Sequence, residues 1–331
     1  MSSTGYRKVP SIRKYIVRRI FHAVPLIFIV IILNFFIIQL APGDPAEILA
    51  GENAPGYVVE QIRERLQLDR PLYIQLLFYI WNIIHLDFGY SYSTSTPVIS
   101  LISSRILATL LLVLSSTLIA VILGIITGVM SSKKVYSFTD NIITTFSLIS
   151  YSMPNFWLGM ILILILGLYL RLLPIAGMTT LRVTYTGLAY VVDIIKHLIS
   201  PALALGLSTL AIYHRLTRAS MLEELRKDYI ITAWAKGLTE FQVLYRHALR
   251  NAILPLVTVL GMRMGFILSG SIIVETIFGW PGMGRLTFFA IGARDYPLLM
   301  GIFTIVSITV IITNLITDIC YYYINPRIRF T

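Results

Sequence analysis

Cysteine is nearly missing: Cys320 is the only one in 331 residues, and it sits in an apolar run. No internal disulfide can form, and the redox compartment stays open. Histidine is also sparse. The five histidines are scattered, without HExxH or paired-cysteine spacing, so zinc chemistry has no ligand set and each is expected to play a buried or interfacial structural role. A phosphate-binding loop is absent as well; the run from Gly124 to Lys134 comes nearest and has the wrong spacing. Nor does any convergent group of nucleophile, base or metal ligands suggest an enzyme. Above all, charge is thin. Charged residues make up 13% of the chain against 56% hydrophobic, well outside the range of a soluble domain, and this makes it an integral membrane protein. The net charge of +11 then reads as Lys and Arg retained on the cytoplasmic side, with no nucleic acid as partner.

What the chain has in abundance is long apolar runs. A bilayer core takes about twenty residues of helix. Runs of suitable length cover Ile16 to Ala41, Ile106 to Met130, Ile142 to Leu170 with Pro154 inside, Ala252 to Ile273, and Leu298 to Ile324. A shorter one covers Leu198 to Tyr213. The first lacks a small-residue cleavage site and is too long for a signal peptide, so it is expected to remain as an anchor. Six spans place both termini on one side.

Basic residues give the orientation. The first nineteen residues hold Arg7, Lys8, Arg13, Lys14, Arg18 and Arg19 and no acid. With that end cytoplasmic, seventeen of the 27 Lys and Arg fall inside, nine outside and one, Arg263, within a span. Removing the short fourth span would turn the segment around Asp228 outward and destroy the asymmetry, so that span is retained. The expected organisation is a cytoplasmic segment 1–15, a first span 16–41, an extracytoplasmic helical region 42–103, and a permease core 104–331 with a cytoplasmic loop 214–251. The outer region carries three basic and seven acidic residues. Val58, Val59, Ile62 and Leu66 recur at helical spacing, and Pro71 opens a second, amphipathic helix expected to be interfacial. Such a region either stiffens the bundle or docks an external partner.

The polar stretch DYIITAWAKGLTEFQVLYRHALRNAILP, Asp228 to Pro255, lies between two apolar runs. Gly237 divides it, and Thr239 with Gln242 has the spacing of a capping box, so it reads as a helix-turn-helix elbow. Tyr229, Ile230 and Ala233 share one face of the first arm; Phe241, Leu244 and Tyr245 share one face of the second. Such short helices need a surface to pack on. A cytoplasmic protein would serve; adsorption to membrane lipid is the alternative.

At these residues the chain resembles permeases of ATP-binding-cassette importers, and among them the first permease subunit of dipeptide and oligopeptide importers. Ile231, Thr232 and Ala233 occupy the E-A-A positions of the importer signature and Gly237 its glycine, while His247 to Arg250 stand where I-x-L-P is general. The peptide-importer version, T-A-x-A-K-G-L followed by R-H-A-L-R-N-A-I-L-P, is met directly. Further motifs run along the chain in order: APGDP from Ala41, LDRPLY from Leu68, DFGYSY from Asp87, PNFWL from Pro154, VETIFGWPGMGRL from Val274 and RDYP from Arg294. The resemblance implies an all-α type I importer permease with six transmembrane helices and cytoplasmic termini. It further implies a passive, non-catalytic subunit without cofactor of its own. Its partners would be a second homologous permease subunit as a heterodimer, two cytosolic ATPases that bind ATP and Mg, and an extracytoplasmic substrate-binding protein. In this picture Ala233, Ala235, Lys236, Gly237, Leu238, Thr239, Glu240 and Phe241 couple to an ATPase, and the cargo is peptide or a related solute such as an oligosaccharide.

A secondary transporter driven by an ion gradient is the competing class. It would use intramembrane carboxylates and internal repeats. Asp318 alone lies in a span, and no repeat is visible. Polar residues within spans mark the path: Thr304, Ser307, Asn314 and Asp318 form a narrow stripe on the sixth, and Ser147, Ser150, Ser152 and Asn155 surround the Pro154 kink on the third. Packing between helices accounts for such residues equally well. Arg263 is expected about 16 Å into the fifth span, where facing lipid costs at least about 2.5 kcal/mol. Gly261 and Gly265 form a G-x-x-x-G packing face roughly opposite it. Arg263 should therefore face Asp318 or the aqueous path.

Overall fold

The computed structural model describes residues 12–40, 44–50, 54–65 and 68–324, and every regular element among them is helical. In chain order the helices are α1 (Ile12–Gln39), α2 (Pro45–Ala50), α3 (Gly56–Arg65), α4 (Leu72–Ile84), α5 (Val98–Lys133), α6 (Phe138–Ser152) and α7 (Asn155–Leu162), which continues as a π-helical stretch Ile163–Tyr169. There follow α8 (Gly187–Glu224), α9 (Asp228–Ala235), a second π-helical stretch Gln242–Ala248, α10 (Leu249–Ala252) and α11 (Leu254–Met264). A 3-10 turn Ile267–Ser269, α12 (Ile272–Ile277), α13 (Met283–Gly292) and α14 (Tyr296–Ile324) complete the chain. Four of these elements contain stretches long and apolar enough to cross a membrane, Arg19–Ile37, Val98–Lys133, Gly187–Glu224 and Tyr296–Thr317, and two bent pairs raise the number to six if each is one span.

Three of the expected spans need correction. The fourth is not a marginal sixteen residues but part of the 38-residue α8, about 57 Å long. Polar residues at both its ends hid the helix. Asp193 accepts from the Thr180 amide at 2.7 Å and hydroxyl at 2.7 Å, and Arg218 clasps Asp140 of α6 through Nε at 2.9 Å and Nη2 at 2.7 Å. The third span is not one kinked helix: α6 and the α7 segment meet at 105° across Met153 and Pro154. Pro154 cannot donate to a preceding turn, and with ψ 138° it caps the new helix instead. The fifth is likewise broken, bending by 48° between α11 and the Ile267–Ile277 segment.

The chain forms two compact units. The first comprises Met1–Ile106, Met264–Ser269 and Leu286–Thr331. Here α1 lies along α14, and α4 packs on α1 through Phe35 and Tyr79, whose ring centroids are 5.7 Å apart. As expected, α3 and α4 are helices in the 42–103 region, with Pro71 at the N-cap of α4. Between α4 and α5, the backbone pairs Ser91 N with Thr96 O at 2.9 Å and Val98 N with Gly89 O at 3.0 Å close a tight loop.

Asp295, fully buried ahead of α14, fastens that loop. It accepts from the hydroxyls of Ser91 (2.5 Å) and Ser93 (2.8 Å) and from the amides of Tyr92 and Ser93 (both 3.1 Å). Burial pushes its carboxyl up, but the Ser91 and Ser93 bonds outweigh that and hold it below the usual carboxylate range. Because the folded-state value is lowered, this stabilisation is present above the unfolded value of about 3.9 and is lost as pH falls through the folded one. Asp295→Asn should therefore cost about 2–4 kcal/mol at pH 7. It should also flatten the fall in thermal midpoint below about pH 4; an unchanged midpoint and acid profile in the purified protein would show the fastening to be idle.

The second unit comprises Leu107–Arg263 and Gly270–Arg285. α6 and α7 pack on α8, and α12 packs on α7 and α8. α5 and α8 approach closely: a Cβ on Gly124 would lie 2.4 Å from Tyr213 Cβ, and one on Gly128 would lie 2.5 Å from Thr217 Cβ. This glycine pair at i and i+4 on α5 is a small-residue crossing that the sequence reading passed over in favour of Gly261 and Gly265. Beside it His214, fully buried, meets Thr127 and Thr144 hydroxyls at 3.3 Å each. Trp280, also fully buried, donates Nε1–H to Ala108 O at 2.8 Å.

Candidate functional site

The elbow forms as its sequence requires. α9 ends at Ala235, and Gly237 takes φ +75°, a left-handed conformation in which a Cβ is strained. The capping box closes both ways: Gln242 Oε1 accepts from the Thr239 amide at 3.0 Å, and the Gln242 amide donates to Thr239 Oγ1 at 3.4 Å. Polar anchors hold the root of the elbow. Glu224 accepts from the Tyr229 hydroxyl at 2.5 Å and pairs with Lys227, Asn251 donates to Tyr229 Oη at 3.0 Å, and Lys133 pairs with Glu240 at 3.5 Å.

The elbow has two faces. Ile230, Ala233, Val243, Leu244 and Ala248 are buried in one cluster with Val129 of α5 and Met221 of α8, so the short helices find their packing surface within the chain. Opposite, Ile231 is 63% exposed, Trp234 47% and Phe241 68%. Three large apolar side chains on a polar turn make an exposed apolar patch. This redistributes the expected coupling residues. Ala233 is a packing residue and Leu238 is half-buried against the same cluster, whereas Ala235, Lys236, Gly237, Thr239, Glu240 and Phe241 are exposed. Phe241 does not share the buried face of Leu244, as its spacing suggested; its ring rests 4.7 Å from that of Tyr245 while remaining accessible. Ile231 and Trp234 were missed as surface residues. Their i, i+3 spacing, one position on from Ile230 and Ala233, is the signal that could have found them.

The expected path residues are dispersed. Pro154 is exposed and Asn155 half-buried at the α6–α7 break, beside a hollow of about 520 Å³ lined by Thr145, Leu148, Ser152, Met153, Phe156 and Trp157. Of the serines expected around the kink, Ser147 and Ser150 are buried on α6, and the Ser147 hydroxyl donates to Ile143 O at 2.8 Å. Thr304 leaves the stripe of α14, since it is fully buried and its hydroxyl meets Tyr79 Oη at 2.9 Å. Ser307 and Asn314 line a groove that α14 shares with α1. Arg263 is not deep within a continuous helix. It is the tenth of the eleven residues of α11, exposed, and next to the bend, and it makes no salt bridge among the described residues. Asp318 belongs to α14, but its side chain lies outside the described residues, as does that of Cys320.

Long apolar helices, two broken apolar pairs and an elbow that turns an apolar face outward define a multi-pass membrane protein with an exposed apolar patch on a polar turn. The family model for binding-protein-dependent transport system inner membrane components matches residues 120–330, and the model for the N-terminal part of such membrane components matches residues 12–113. The chain belongs to this family. It is 41% identical over 317 residues to the oligopeptide transport system permease protein AppB of Bacillus subtilis (strain 168), covering 96% of this chain and 99% of the relative. It is 39% identical over 316 residues to the glutathione transport system permease protein GsiC of Escherichia coli (strain K12), with 96% and 99% covered. It is also 39% identical over 336 residues to the dipeptide transport system permease protein DppB of the same strain, with 96% and 98% covered. The chain is thus a non-catalytic, membrane-embedded permease subunit of an ATP-binding-cassette importer, working with a substrate-binding protein and an ATPase. The gradient-driven alternative is set aside.

Proposed function

We propose that this permease forms half of a translocation path for peptides, paired with a second, homologous permease as a heterodimer and driven by two cytosolic ATPases that hold ATP and Mg. The cargo reading rests on the relatives, whose names specify oligopeptide, glutathione and dipeptide transport. In this reading each bent pair is one span, giving six, and both termini are cytoplasmic, in keeping with the acid-free basic N-terminus. The 42–103 region then lies outside, where its acidic excess suits a binding protein. Pro154, Asn155 and Arg263 are the residues we assign to the path: a broken helix exposes backbone and side chains where a continuous one cannot, and an exposed guanidinium beside a bend is better accommodated by water than by lipid. Ser307 and Asn314 also belonged to the expected path, but they line the groove between α1 and α14.

The observation that carries the coupling role is the two-faced elbow. Gly237→Glu tests it. The Cβ itself meets nothing within 4 Å, so the substitution costs only the left-handed strain of about 1–2 kcal/mol. It places a carboxylate on the turn between the exposed Trp234 and Phe241. Insertion and folding should persist while ATPase association and transport fall at least about tenfold, the size of a 1.4 kcal/mol loss at a docking face. Wild-type association and transport in the reconstituted complex would refute the coupling role. For the cargo, mass spectrometry of the ligand retained by the co-encoded binding protein should return peptides; an oligosaccharide or nickel complex would replace that part of the reading.

A further inference from the structure

The groove between α1 and α14 has a volume of about 510 Å³ and an uneven lining. On α1 it is walled by Arg19, His22, Ala23, Leu26 and Val30, a spacing that follows one helix face. Across it stand Val306, Ser307, Val310, Ile311, Asn314 and Leu315 of α14, with Phe266 alongside. Its charged and ionisable side chains gather at one end. Arg19 is the last Lys or Arg before the apolar run that begins at Ile20, and Asn314 stands one turn before Asp318, the first charged residue of α14. Arg19, His22 and Asn314 thus share one boundary of the hydrocarbon layer, while Leu26, Val30, Val306 and Val310 lie deeper. The depth of Arg19 follows from where the apolar stretch begins and holds for either orientation of the chain.

We propose that this groove is a binding site for an anionic phospholipid, with the headgroup phosphate at Arg19, His22 and Asn314 and one acyl chain along the apolar walls. Charge complementarity identifies the occupant. Basic pockets between membrane helices at headgroup depth select anionic lipids, and the chain ahead of Arg19 adds Arg7, Lys8, Arg13, Lys14 and Arg18 without a single acid. The five N–H donors of a guanidinium let Arg19 take a phosphate oxygen while keeping its contact within the chain. Asn314 is exposed and supplies an amide donor. The apolar walls fix where the chain lies but give no preference between lipids, because bilayer tails are as apolar as Leu or Val. Selectivity must come from the headgroup end, at roughly fivefold for each basic side chain near the surface. Assigning the lipid to the inner leaflet rests on the orientation proposed above; the site does not.

The assembled permease complex, titrated with palmitoyl-oleoyl phosphatidylglycerol or phosphatidylcholine and read by native mass spectrometry, tests the site. The wild type should retain one phosphatidylglycerol at least fivefold more tightly than phosphatidylcholine. Arg19→Gln with His22→Gln should bring the ratio below about twofold, the loss of the basic headgroup contacts. Ala23→Trp, which fills the groove without touching a charge, should lower phosphatidylglycerol occupancy by the same factor. If the double variant does not assemble, the wild-type ratio and Ala23→Trp decide. Equal binding of the two lipids by the wild type, as when a helix of the second permease covers the groove, overturns the proposal, and so does a preference that survives both variants. Millimolar glycerol phosphate should not displace the lipid; full displacement would make this a site for soluble phosphate and overturn the lipid assignment. Failure of ATPase coupling with the lipid preference intact would count against the proposed function alone.

Discussion

Trp234→Ser combined with Phe241→Ser should abolish productive ATPase docking, with transport down at least a hundredfold and the thermal midpoint of the purified permease nearly unchanged. Both side chains are exposed, so the chain's own packing loses little. A docking face concentrates its binding energy in a few large anchors, and removing two aromatic ones costs about 2 kcal/mol each or more. The contrast lies four residues before Trp234 in the first arm and two after Phe241 in the second. Ile230 and Val243 are 1% and 0% exposed within the cluster around Met221. Ile230→Ala or Val243→Ala should cost about 2–4 kcal/mol of stability, and transport should fall only with the amount of folded protein. Pull-down of the ATPase, reconstituted transport and a melting curve on the same three variants separate the faces. Retained docking in the serine double variant, or a melting loss as large as that of Ile230→Ala, would mean the two faces were assigned wrongly.

Glu275→Ala is the substitution expected to cost most in stability. This carboxylate is fully buried in the VETIFGWPGMGRL stretch. It accepts from the Thr109 hydroxyl at 3.2 Å and from the amides of Ser271 at 3.4 Å and Arg285 at 3.0 Å. Removing it leaves those buried donors without their acceptor, at about 1–3 kcal/mol each. A total of about 4–6 kcal/mol should lower the midpoint by more than about 10 °C for a chain of this size. The cradle is specific. A Cβ on Gly282 would lie 2.4 Å from Glu275 Oε2 and 2.6 Å from Thr109 Oγ1, so Gly282→Ala should also destabilise although it removes no bond. Thr109→Ser retains the hydroxyl and should stay within about 1.5 kcal/mol of wild type. A midpoint for Glu275→Ala within 2 °C of wild type would show that this network stabilises nothing.

Much of the architecture was legible beforehand because membrane insertion is read from composition. Apolar length marks spans whatever they pack against, and the α1, α5 and α14 runs emerged within a few residues of expectation or as longer helices. The elbow was legible for a different reason. A left-handed glycine and a reciprocal capping box are local devices that act within a few residues, so Gly237, Thr239 and Gln242 carry their conformation wherever they stand. α8 was misjudged where the local rule failed: Asp193 and Arg218 interrupt hydropathy, but Asp193 is hydrogen-bonded by Thr180 and Arg218 is paired with Asp140, partners 13 and 78 residues away. The stripe on α14 is divided by the fold. Thr304, Ser307 and Asn314 share a helical face by spacing, yet Tyr79 takes the first while the other two line the groove with α1.

By itself the sequence determined that this protein is helical and membrane-embedded, and that one polar elbow interrupts its apolar core. Those properties depend on composition, apolar length and turn chemistry, which operate over at most a few turns of helix. Only the tertiary structure decided which side chains are spent on the chain's own packing and which remain for others. Ala233 and Phe241 lie in the same motif, and nothing in their neighbours tells that one is buried against Met221 and the other exposed. Ser91 and Asp295 sit in separate motifs 204 residues apart, and only the fold joins them. Burial and pairing depend on which distant surface arrives beside a residue, and that is a property of the packed helices rather than of any stretch of chain.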